Sequence, residues 1–255
     1  MTKMPVLFVG HGSPMNAIEE NAYTNRWKEI AARFPKPEAI VCISAHWTTD
    51  GSRVCDDLQP KTVYDMYGFP QALYEVKYNS PGAPELAHAI RELAPEVQID
   101  NSWGIDHGTW SVLHVMYPDA DIPLIQLSLD RNESRQYHFD LGQKLKALRD
   151  KGVLIMGSGN VVHNLGRINW DMNGGYGWAK EFDDYIKENI ERREFQNVID
   201  YRKAGKSAQD AFYTTEHFDP LLYVLGASSE KDMLTVFNDE CTLGSLSMTC
   251  YLFEE

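Results

Sequence analysis

The sequence predicts an α/β fold: a single domain in which a mostly parallel central sheet is flanked by helices and carries a small antiparallel extension. Three observations lead there. Val6-Leu7-Phe8-Val9, Ala39 to Ala45, Ile122 to Leu129 and Val153-Leu154-Ile155-Met156 are apolar runs without alternation, the pattern of strands covered on both faces. Segments of helical spacing lie between such runs, so the strands are joined by crossovers, which favours parallel pairing of one hand. Towards the C-terminus, Thr235-Val236-Phe237 and Ser247 to Phe253 read as two further strands able to pair as an edge hairpin.

The elements follow in order. Past Gly10-His11-Gly12-Ser13-Pro14, residues Tyr23, Trp27, Ile30, Ala31 and Phe34 recur at helical spacing, predicting a helix over Ala22 to Phe34 that Pro35 and Pro37 stop. Gly51 to Ser80 is aromatic and rich in turns, an excursion over the ligand end of the sheet, with Tyr74 to Tyr78 expected as a strand. Pro84 to Ala94 reads as a helix with proline in its first turn, and Val97-Gln98-Ile99 as a short strand. Asn101 to Gly108 is a polar loop before a helix over Trp110 to Met116, and Asn132 to Lys151 is a helix closed by Gly152. Tyr176 to Arg202 is expected as one long amphipathic helix, followed by a shorter one from near Ser207, a turn at Glu216-His217-Phe218-Asp219-Pro220, and Leu221 to Leu225. No repeat, low-complexity segment or linker interrupts residues 1–255, which are read as one domain.

A chain of 255 residues is long enough to bury its own core without a disulfide or structural metal. Its net charge of -13 argues against nucleic acid or an anionic membrane as partner, both of which call for a basic face. A small organic substrate remains. No apolar run approaches the roughly 18 residues of a membrane helix, and Met1-Thr2-Lys3-Met4 leads into the first strand rather than a signal peptide, so a cytoplasmic location is expected. Cys42, Cys55, Cys241 and Cys250 form no CxxC pair and are expected to pack as reduced thiols.

The chemistry sits at strand ends. His11, His46 and His163 each follow an apolar strand, and in open α/β sheets the ligand crevice lies outside the carboxyl ends of the strands. His217, beside Glu216 at a turn, and His107, in a glycine-flanked loop, share that polar context. A common site built around one metal ion is expected, whereas His88, His114 and His138 fall within helices and are assigned structural or solvent-facing places. Imidazole and carboxylate donors without thiolate suit Fe(II), Zn(II) or Mn(II).

Six segments, spread from the first strand to near the C-terminus, carry a resemblance: Gly10-His11-Gly12-Ser13-Pro14, Ser44-Ala45-His46-Trp47, Tyr64-Asp65-Met66-Tyr67-Gly68-Phe69-Pro70, Gly104 to Trp110, Gly157 to Leu165, and Glu216 to Leu222. In that order they resemble the class III extradiol ring-cleaving dioxygenases, most closely the branch of DOPA 4,5-extradiol dioxygenases. The resemblance implies that His11 and His46 bind the metal. It places His217 at the block of the third ligand, where protocatechuate-cleaving members carry a carboxylate; Glu216 is adjacent, and since neighbouring side chains point apart, one of the two binds, with His217 the expected one. His163 matches the general base and could close the coordination sphere as a fourth ligand when no substrate is bound. His107 matches a histidine that hydrogen-bonds substrate or oxygen. The implied reaction opens the ring of a catechol such as DOPA with O2, using Fe(II), with Zn(II) possible in the same site. Tyr64 to Phe69 is a candidate aromatic wall for that substrate. Two other readings use the same residues: a zinc hydrolase with His163 as proton shuttle, and a non-enzymatic binding protein, which would have no need of His163 and His107 together.

Overall fold

The apolar runs foreseen as strands do form the sheet. The computed structural model describes residues 3–255 and contains, in order, β1 (Val6–Gly10), α1 (Ala22–Ala31), β2 (Ala39–Thr49), β3 (Arg53–Val54), α2 (Gln71–Tyr74), α3 (Pro84–Leu93), β4 (Gln98–Ile99), α4 (His107–Met116), β5 (Leu124–Asp130), α5 (Arg135–Leu145), β6 (Val153–Gly159), α6 (Gly177–Glu191), α7 (Phe195–Ile199), α8 (Lys206–Asp210), α9 (Asp219–Ala227), β7 (Met233–Phe237), β8 (Cys241–Thr242), β9 (Leu246–Ser247) and β10 (Cys250–Glu254). Eight strands make one sheet in the order β4-β3-β5-β2-β6-β1-β10-β7. Its middle, β5-β2-β6-β1, is parallel, while β10 runs antiparallel to β1 and to β7.

The unbroken apolar character of the middle strands follows from burial on both faces. Val6, Phe8, Val41, Ile43 and Ile155 face a core completed by α3, α5, α6 and α9. Leu7, Val9, Ile40, Cys42 and Met156 face the other way, against Trp27 and Ile30 of α1 and Trp110 and Leu113 of α4. Adjacent residues on one strand thus serve two cores. All four cysteines are buried and unpaired, as expected, and among the described residues no helix is long and apolar enough to cross a membrane.

Four expectations are corrected. Tyr74 to Tyr78 is not a strand: Pro70 starts the single helical turn of α2, and the Tyr74 hydroxyl folds back within reach of the Met66 carbonyl at 3.4 Å. The long helix stops at Glu191. Arg193 adopts a left-handed backbone (φ 59°), the Glu194 amide donates to the Asn189 carbonyl at 2.8 Å, and the turn carries the Arg193 guanidinium to the Ser229 carbonyl (2.9 Å) and over the Phe253 ring. Tertiary contacts end it, although the periodicity continues. The run from Ser247 is also broken, into β9 and β10, and β10 lies inside the sheet with β7 at the edge. Finally α4 begins at His107, inside the expected loop, because Asp106 caps it through the Thr109 amide.

Candidate metal centre

Five imidazoles meet outside the carboxyl ends of the parallel strands, each carried there by a different element. His11 ends β1, its amide donating to the Gly159 carbonyl (3.0 Å) to extend the ladder with β6. His46 lies within β2, where the pairing with β5 slips between Ile43 and Thr48. His107 opens α4. Its position rests on the fully buried Asp106, whose carboxylate accepts from Ser44 Oγ (2.6 Å), Gln126 Nε2 (2.7 Å) and Trp103 Nε1 (3.0 Å). His163, beyond β6, is fixed by its amide on the Ala211 carbonyl (2.9 Å), and His217, just before α9, by its own carbonyl accepting from the Asn160 amide (2.8 Å). Close approach demands two glycines. A Cβ at position 159 would lie 2.1 Å from the His217 carbonyl oxygen, and one at position 108 would lie 2.8 Å from the His46 ring and 2.7 Å from Ser44 Oγ.

Candidate donor atoms of His11, His46 and His217 all lie within 4.8 Å of one another. His11 Nε2 and His46 Nε2 are 3.4 Å apart. His163 belongs to a second group, with Glu216 and His217, and its ring stacks on that of His217 with centroids 3.5 Å apart and planes 4° from parallel. His107 belongs to a third, with His46 and Asp65.

Hydrogen bonds at the far side of the rings set which nitrogens are free. Ser158 Oγ donates to the Gly108 carbonyl (2.5 Å), so at 3.0 Å it accepts a hydrogen bond from His11 Nδ1–H and leaves His11 Nε2 with a lone pair. The Asp65 carboxylate meets His46 Nδ1 at 3.2 Å and His107 Nδ1 at 2.9 Å, with the same result for both rings. Two lone pairs facing each other at 3.4 Å repel unless a cation lies between them. Imidazole nitrogens about 2.0–2.1 Å from one ion at a tetrahedral angle would stand roughly 3.4 Å apart, so the donor set fits a metal.

The charges agree. Burial, and then the neighbouring imidazoles, His46 foremost, push His11 well below the usual imidazole range. His217 is pushed the same way by burial and then by His163, and His163 is pulled to about 4 by burial and then by His46. Neutral imidazoles are the ligating form. At His46 burial acts in the same sense but is outweighed by the bond to Asp65 and by the nearby carboxylates, so its value is raised. Burial would raise Asp65 too, yet the hydrogen bonds from His107 and His46 hold it well below the carboxylate range.

Residues 5–249 match the family model described as the catalytic LigB subunit of aromatic ring-opening dioxygenase. The chain belongs to this family. The class III extradiol dioxygenases it joins are oxidoreductases that open aromatic rings, and they are metal-dependent. A protein of Escherichia coli strain K12 named 4,5-DOPA dioxygenase extradiol is 44% identical over 97% of this chain and 93% of its own. One of the same name from Beta vulgaris is 36% identical over 96% and 95%. The crystal structure of an uncharacterized protein, JW3007, from Escherichia coli K12 superposes with a TM-score of 0.85 at 41% identity, covering 98% of this chain and 99% of that one.

For a member of this family the placement of the remaining histidines is informative. His88 stands at the surface 3.7 Å from Asp56, His114 packs edge-on against Tyr78, and His138 is buried edge-on against Tyr223, all apart from the five. Of the aromatic excursion, Tyr64 packs against Trp110 and bonds the Val76 carbonyl while Tyr67 is exposed, so these rings serve the core and the surface. Sequence reasoning missed Asp65, Asp106 and Ser158. All three stand inside the six family segments, which is the signal that was there to be used; nothing in their immediate neighbours says what each side chain meets.

Proposed function

We propose that this dioxygenase opens the ring of a catechol of the DOPA type with O2, outside the two hydroxyls, using Fe(II) held by His11, His46 and His217. The observation that carries the reading is the convergence of those three imidazoles, two of them with their lone-pair nitrogens turned on each other. When bound, the metal supplies Lewis acidity and a template that brings the catechol and dioxygen together. His163, stacked on His217 and half-buried, accepts a proton at a ring nitrogen from a catechol hydroxyl, a task suited to an imidazole that arrives neutral. His107, with Nδ1 committed to Asp65, turns a lone pair at Nε2 towards substrate. Both oxygen atoms of O2 end in the product, a ring-opened semialdehyde acid, so no external reductant is consumed. The DOPA-type substrate is supported by the names of the relatives, and four unpaired buried thiols suit a reducing, cytoplasmic setting.

An all-imidazole donor set also suits Zn(II), so protein isolated with zinc in the same site is consistent with this reading. Anaerobic loading with Fe(II), then oxygen uptake with catechol, 4-methylcatechol and DOPA, tests it. Uptake of one O2 per catechol with a yellow product is expected. No uptake from the iron-loaded protein on any of the three would reject the proposal.

A further inference from the structure

We infer that Asp65 is a positioning residue: one carboxylate that fixes the ring tautomer of His46 on the metal side and of His107 on the substrate side, so that metal affinity depends on a residue that does not touch the metal. The inference rests on the metal-centre reading given above. Its basis is a set of three contacts to one side chain. Oδ1 accepts from the His107 backbone amide (3.0 Å) and from His107 Nδ1 (2.9 Å); Oδ2 lies 3.2 Å from His46 Nδ1. The two rings are held with centroids only 3.9 Å apart.

The chain delivers Asp65 to that point deliberately. On the side preceding it, the Val63 amide donates to the Ile105 carbonyl (2.8 Å) and the Val63 carbonyl accepts from Trp110 Nε1 (2.9 Å); on Tyr64 the hydroxyl bonds the Val76 carbonyl (2.5 Å). The loop is pinned to α4 and to the segment before it, so the carboxylate moves with His107. With a proton on each Nδ1, both Nε2 atoms are bare. For His46 that is the nitrogen facing His11 Nε2. A ligating imidazole whose second nitrogen donates to a carboxylate is oriented and made more basic, and loss of such a partner weakens metal binding roughly 10–100-fold.

The replacement Asp65→Asn separates positioning from bulk. An amide has one acceptor and one donor face. With its oxygen on the two His107 donors, its NH2 faces His46 Nδ1, which must then carry the lone pair and shift its proton to Nε2, where the metal binds. Two measurements follow on metal-free protein and on protein titrated with Zn(II) against a chelator. In wild type, histidine 15N spectra should show His46 and His107 both protonated at Nδ1. In Asp65→Asn, His46 should change to the Nε2-protonated form and the Zn(II) dissociation constant should rise roughly 10–100-fold, with the thermal midpoint of the metal-free protein little changed.

A wild-type His46 that bears its proton on Nε2 and none on Nδ1 would overturn the inference without any variant, as would an Asp65→Asn protein that binds Zn(II) as tightly as wild type. If Asp65→Asn does not fold, the wild-type spectrum alone decides. Wild-type protein that takes up no Zn(II) would instead overturn the metal-centre reading, and the tautomers would still be legible.

Discussion

The two ends of strands β1 and β6 hold two buried polar clusters that differ in how completely they are satisfied. Before the first residues of these strands, Arg149 is fully buried, with Nε on the Met4 carbonyl (2.7 Å), Nη1 on the Ala227 carbonyl (3.1 Å) and on Asp232 (2.7 Å), and Nη2 on the other Asp232 oxygen (2.8 Å). The Ser229 amide closes the set on Asp232 at 2.6 Å. At the opposite ends, five imidazoles crowd together, with Nε2 of His11 facing Nε2 of His46 at 3.4 Å. A polar cluster closed on itself ties three segments of chain together. One left open has capacity for something else, and a fold tolerates it at a cost in stability when function needs it.

The largest expected effect comes from breaking the open cluster. His217→Ala should lose stoichiometric metal and, with it, all oxygen uptake above that of metal-free protein, while its metal-free melting midpoint falls by no more than about 2–4 °C, roughly 1 kcal/mol. Glu216→Gln should keep the metal. His163→Gln should keep it too, yet turn over roughly 10²–10⁴-fold more slowly. Metal analysis and oxygen-electrode rates on the three variants decide; retained metal in His217→Ala together with lost metal in Glu216→Gln would move the third ligand to the carboxylate.

Breaking the closed cluster should do the reverse. Arg149→Met leaves the Asp232 carboxylate buried without its partner, which costs about 3–5 kcal/mol. Denaturant unfolding of metal-free protein measures it, and the folded fraction should still bind metal at one equivalent. A loss under about 1 kcal/mol would mean that this cluster too is less closed than its hydrogen bonds indicate.

Legibility in the sequence divides along similar lines. The middle strands could be read because burial on both faces writes itself into consecutive residues, Val6 to Val9 and Ile40 to Ile43, and His11 could be placed because it directly follows such a run. His46 was read as following its run and lies instead within β2, which extends to Thr49. The segment that holds Asp65 could be singled out by resemblance, but its partner could not be read from local pattern, since nothing in its neighbours says that a loop 42 residues before His107 folds onto that ring. The same holds for the helix break at Arg193, which comes from distant Ser229 and Phe253, and for Gly108, whose need to be small arises only where α4 crosses β2. Local pattern carries elements; contacts made across the fold carry their ends and the partners of the site.

A third buried carboxyl sharpens the contrast through pH. Asp183 is held by the hydroxyls of Ser247 and Thr249, both at 2.6 Å, with no cation bonded to it among the described residues, and burial pushes it up to about 6 in spite of those two donors. Asp232 goes the other way: burial would raise it, but the bonds from Arg149 and the Ser229 amide lower it. The signs follow from proton counting. A raised folded value means that the folded state keeps its proton between about pH 4 and pH 6 while the unfolded chain has lost it, so stability falls as pH rises through that window, by about 3 kcal/mol for two units. A lowered value gives stability that is present above about pH 4 and lost as the solution is acidified below it. Asp183→Asn should therefore flatten the decline between pH 4 and 6, since an amide can both accept from one hydroxyl and donate to the other without titrating. Chemical denaturation of the metal-free proteins across that range reads the difference directly. Parallel curves for wild type and Asp183→Asn would show that the carboxyl is ionised throughout and that two hydroxyls suffice to hold its charge.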